Sequence, residues 1–114
     1  MTALLVANAI VSLGSVVFAV VGGMRPQALS DSGTPTGGER FHGWMYAVRG
    51  VPLGVAAGVV PFLGSSPACS LLLFAAAAAQ AGDVAIGAVR RKSTMIAGAS
   101  LLVVIHATTA VVMR

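Results

Sequence analysis

The sequence predicts an all-α membrane protein, an up-down four-helix transmembrane bundle, and three observations predict it. The 114-residue chain is 57% hydrophobic and only 9% charged, whereas a soluble domain carries about 25% charged residues. Four segments are each apolar over about 20 residues, the length at which a helix crosses a hydrocarbon core about 30 Å thick. None of the four shows the period-2 alternation of a barrel strand, and lipid leaves backbone groups unsatisfied unless a helix closes them internally.

The first span is expected over residues 2–22, free of charge, ending at Gly22-Gly23 before Arg25-Pro26. It lacks a basic n-region and a following A-x-A site, so it is expected to stay as a helix rather than act as a cleaved signal. Residues 24–42 form the one long polar stretch, with Pro26, Gly33, Pro35, Gly37 and Gly38, and predict a surface loop. The second span is expected over 43–63. The third, over 67–89, opens with Pro67 at the first helical position behind Ser65 and Ser66 as caps. The fourth is expected over 93–113. The links Gly64-Ser65-Ser66 and Arg90-Arg91-Lys92 are short, which makes consecutive helices antiparallel neighbours in a single transmembrane domain, 1–114.

This composition excludes a soluble enzyme and a disordered tail. With Cys69 as the one cysteine it also excludes a disulfide scaffold. A net charge of +4 and a pI near 10.8 would suggest nucleic acid in a soluble protein. Here most of the cations flank apolar runs, so no nucleic-acid partner is expected and membrane lipid is the surrounding partner. Arg25, Arg40, Arg90, Arg91 and Lys92 fall on one side of the membrane and Arg114 on the other. The positive-inside rule then predicts a multi-pass cell-membrane protein with both termini non-cytoplasmic.

Gly50, Gly54 and Gly58 recur every four residues along the second span, extended by Ala47 and Gly43. Such a row lets another backbone approach closely. It serves either packing within the bundle, the preferred reading, or a homodimer seam. Pro52 within the row frees the carbonyl of Val48.

Few polar residues lie at membrane depth. Along a helix rising 1.5 Å per residue, Arg49 lies about 9 Å and Asp83 about 10 Å from the same side. They are the only opposite charges inside the spans, and an unpaired charge there costs several kcal/mol, so an Arg49–Asp83 pair is expected. Asn8 and His106 share a second layer, about 20 Å from that side. Gln80 lies three residues before Asp83, on the same face. His42, Trp44 and Tyr46 read as an interfacial aromatic belt, with Tyr46 also placed to line a pocket mouth. Cys69 reads as a small packing residue. There is no C-x-x-C, no H-E-x-x-H, no P-loop and no dinucleotide-binding glycine pattern, so neither metal nor cofactor is expected.

Two readings of the buried polar groups compete: mutual glue between helices, or a polar-lined cavity for a lipophilic small molecule. Intramembrane ionisable residues favour the second. In it Arg49, Asp83 and His106 are the catalytic candidates and Asn8, Tyr46 and Gln80 the ligand-binding ones. Arg49 would grip an oxygen with its guanidinium fork, Asp83 would orient Arg49 or exchange a proton, and His106 would move a proton. The reaction class is acid–base: isomerisation, epoxide opening or cyclisation. The alternatives are an accessory subunit docked through the glycine row, or a small dimeric transporter, for which the first span lacks an acid.

Four short spans, a long first loop, Arg49-Gly50 running to Gly54, an aspartate late in the third span and a histidine in the fourth resemble the DoxX-like small four-helix membrane proteins, in particular their relatives of unknown function. The resemblance covers nearly the whole chain. It implies a four-helix bundle and carries over only Arg49, Asp83 and His106.

Overall fold

The polar stretch ends earlier than its composition suggests, because Thr36 and Glu39 form a capping box. The Thr36 hydroxyl accepts from the Glu39 N–H at 3.2 Å, and the Thr36 N–H donates to the Glu39 carboxylate at 2.6 Å. Helix α2 therefore runs Gly37–Leu63, six residues longer at its start than the apolar run alone predicts. The other helices fall where expected: α1 at Thr2–Met24, α3 at Pro67–Val89 and α4 at Ser93–Val112. The computed structural model describes residues 1–28 and 33–114; residues 29–32 of the expected loop, Asp31 among them, lie outside the described residues. A 3₁₀ turn at Pro26–Ala28 follows α1.

All four helices are long and apolar enough to cross a membrane. Only 17–22% of each span is buried within the bundle, so the outward apolar side chains, such as Ile10, Leu13, Val55, Leu71 and Val104, make a surface suited to lipid. Helices α1 and α2 form one closely packed hairpin and α3 and α4 the other. The hairpins meet along thinner α1–α4 and α2–α3 seams, closing the up-down bundle. Its 44 Å long axis exceeds the roughly 30 Å hydrocarbon core. The end carrying Arg25, Arg40, Arg90, Arg91 and Lys92 is the basic end. Trp44 and Phe41 stand exposed there, as an interfacial belt requires.

The glycine row of α2 faces α1 of the same chain. A Cβ on Gly54 would sit 2.6 Å from Val16 Cγ2, one on Gly50 3.0 Å from the Ala19 Cβ, and one on Gly58 3.2 Å from the Ser12 Cβ. The row thus does the packing inside the bundle, and a partner helix at Gly50, Gly54 and Gly58 would have to displace α1.

The half of the bundle away from the basic end is its tight core: Ala57, Cys69, Leu73, Ala76, Ala110 and Met113 pack together. Cys69 is buried there as a packing residue. Helix ends are tied off nearby. Ser66 caps α3 by accepting from the Cys69 N–H, and its own N–H donates to the Met113 carbonyl. Ser70 donates to the Ala110 carbonyl, an orphan in the last turn of α4. Gly64, at φ 138°, takes a backbone conformation open to glycine in the α2–α3 link.

Candidate functional site

Two separate polar centres occupy the bundle. The first joins three helices in the tight half. Pro61, four residues beyond Ala57, has no N–H, so the Ala57 carbonyl has no helical donor. The Asn8 side-chain amide on α1 donates to that carbonyl at 2.7 Å. A carbonyl can only accept, so the amide nitrogen is committed to it and the Asn8 Oδ1 is turned toward α4, 2.8 Å from His106 Nδ1. Nδ1 must then carry a proton and donate it to the Asn8 Oδ1. Asn8 and His106 are both buried. The shared layer inferred from depth is thus a real contact, and it works as a three-helix clamp.

The second centre lies nearer the basic end. A pocket of about 290 Å³ opens between α1 and α4 and is floored by α2 and α3. From α1 come Val11, Gly14, Ser15 and Phe18, one face at spacings of three and four. Tyr46 enters from α2, and Gln80 and Asp83 from α3. Tyr46 and Asp83 interact electrostatically across the pocket floor, and the Tyr46 and Phe18 rings stand edge to face, centroids 6.1 Å apart at 86°. The α4 wall runs from Thr94 to Leu102. The mouth is exposed at Gly14, Phe18, Gly98 and Leu101.

The void has a local cause. Gly14 on α1 and Gly98 on α4 have nothing within 4 Å of the position a Cβ would take. The glycines of α2 let a neighbour come close, whereas these two leave space open where α1 and α4 pass each other. Sequence reasoning missed Gly14, Gly98 and Phe18. The available signal was an isolated glycine in an apolar helix, which costs about 1 kcal/mol relative to alanine and so calls for a packing or site reason.

Of the six residues expected at the site, Tyr46, Gln80 and Asp83 meet in the pocket, while Asn8 and His106 meet in the clamp. Arg49 joins neither. It is exposed, and among the described residues the one that interacts with Asp83 is Tyr46 instead. Two physical reasons correct the expected Arg49–Asp83 pair. The row Gly43, Ala47, Gly54 sets the rotation of α2 against α1, and at 100° per residue Arg49 points about 140° away from that row. Because α2 starts at Gly37, Tyr46 rather than Arg49 comes level with Asp83. Among the described residues no cluster of histidine, cysteine, aspartate or glutamate fit to hold a metal occurs.

No family model, curated protein or solved structure matches this chain.

Proposed function

We propose that this protein binds a lipophilic small molecule in the pocket between α1 and α4, within a cell membrane and with both termini on the non-cytoplasmic side. The observation that carries the reading is the composition of that cavity: apolar and small side chains on three sides, with Tyr46, Asp83 and Gln80 gathered at its floor. Binding sites for small molecules have this form, largely apolar with a few converging polar groups, and about 290 Å³ falls just short of their usual 300–1,000 Å³ range. The lipophile's tail would lie against Val11, Leu101 and Leu102, and its polar atom would meet the Tyr46–Asp83 pair. The same pair is the group that would move a proton in an acid–base turnover of the ligand. The resemblance to DoxX-like proteins carries Asp83 into this reading. The clamp position of His106 and the outward position of Arg49 give those two residues no part in it.

A pocket-filling substitution tests the proposal. Gly98→Leu adds a side chain where there is open space, so it should keep the fold while abolishing binding. A decanol carrying a diazirine, photolysed with the protein in nanodiscs, should label peptides of α1 and α4 in the wild type and lose that labelling in Gly98→Leu. Equal labelling of the two proteins would reject the pocket.

A further inference from the structure

We infer that the ligand is a lipophilic monocation, an ammonium or quaternary ammonium group on a small apolar body, held by the Asp83 carboxylate and the Phe18 and Tyr46 rings. This rests on the pocket reading above and adds its chemical class. Among the described residues none of the side chains lining the pocket is cationic, while one, Asp83, is an acid. An anionic lipophile would bring a second negative charge to a site with no positive group. A neutral one would leave the carboxylate form of the acid without a counter-charge in a low-dielectric setting, where an opposite charge is worth far more than in water. A cation supplies the missing charge.

The rings point to the same class independently. Phe18 and Tyr46 both line the pocket and stand at 86° to each other, two walls of a corner. Aromatic faces attract a cation through their quadrupole, and corners of aromatic rings are the known recognition device for quaternary ammonium groups. Asp83 lines the same pocket as the two rings, which puts its carboxylate beside that corner. Entry is lateral. The mouth opens at Gly14, Gly98 and Leu101 on the exposed flank of the bundle, while the basic end about 10 Å from Asp83 disfavours approach of a cation from that aqueous face.

The test uses the full chain in nanodiscs, labelled with ¹³C at its methionine methyls. Met95 is in the pocket wall; Met1, Met24, Met45 and Met113 are outside it and report on the fold. Two probes of equal shape are titrated: benzyltrimethylammonium and its neutral carbon isostere, neopentylbenzene. The expected result is a saturable shift of the Met95 methyl with the cation, at an affinity at least tenfold above that for the isostere. Asp83→Asn should erase this preference, and Phe18→Leu should reduce it severalfold, with the other four methyls unmoved. If both probes shift Met95 with equal affinity, the inference of a cation fails while the lipophile pocket stands. If neither shifts Met95, the pocket reading fails as well. Should Asp83→Asn disturb all five methyls, the Phe18→Leu titration decides, and an unchanged cation preference in that variant overturns the aromatic corner.

Discussion

At the scale of single residues, the bundle uses glycine for two opposite purposes, and the same substitution separates them. A Cβ on Gly43 would meet the Gly22 backbone oxygen at 2.5 Å, whereas one on Gly98 would meet nothing within 4 Å. Alanine is the better helix former by about 0.8–1 kcal/mol. Gly98→Ala should therefore stabilise the protein by up to that amount, while Gly43→Ala should destabilise it by about 1–3 kcal/mol through overpacking against backbone; steric trapping in bicelles measures both. The clamp gives a second residue-scale prediction. Asn8→Ala leaves the Ala57 carbonyl and the His106 Nδ1–H without partners, at a cost of about 1–3 kcal/mol. Pro61→Ala restores an N–H four residues beyond Ala57. The penalty of Asn8→Ala should accordingly fall by about 1 kcal/mol in that background, and a double-mutant cycle reads the difference. A penalty identical in both backgrounds would show that Asn8 does not serve the proline-freed carbonyl.

At the scale of elements, the helix ends show how much local chemistry was legible. Ser66 before Pro67 marked the start of α3, and the structure has that cap. The start of α2 was equally written in Thr36-Gly37-Gly38-Glu39, but a reading based on hydropathy passes over it, since those residues are polar. The α3–α4 turn closes with the Arg91 N–H on the Ala88 carbonyl and the Lys92 N–H on the Gly87 carbonyl, the Schellman pattern. Its left-handed position, φ 54°, is held by Arg91 rather than glycine. A non-glycine residue there is disfavoured by about 1–2 kcal/mol. Arg91→Gly should raise stability by about 0.5–1 kcal/mol once glycine's larger unfolded-state entropy is counted, visible as a higher Tm in detergent. The turn thus keeps a basic residue at some cost in stability, which fits a role in setting orientation.

For the whole molecule, two tight hairpins meet along thin seams, and the pocket lies on one of them, between α1 and α4. That arrangement gives a rigid clamp half and an open half within one small bundle. Orientation is also a property of the whole chain, since it depends on charge summed over both connecting ends. With five cations at the basic end against Arg114 at the other, a C-terminal alkaline phosphatase fusion should be active and the matching green fluorescent protein fusion dark. The reverse pattern would place the basic end outside the cytoplasm.

Composition and hydropathy by themselves determined that this is a four-helix membrane bundle and located α1, α3 and α4 closely. In lipid each helix must satisfy its own backbone, so a span is a local property of about 20 residues. Depth counting also brought Asn8 level with His106. Only the tertiary structure decided which polar groups face one another. The rotation of α2 comes from close packing of its glycines on α1, and it turned Tyr46 to Asp83 and Arg49 away. The pocket required Gly14 and Gly98 to coincide on two helices that are adjacent in space but far apart in the chain. No period within one helix encodes that meeting, because it exists only once the hairpins are packed.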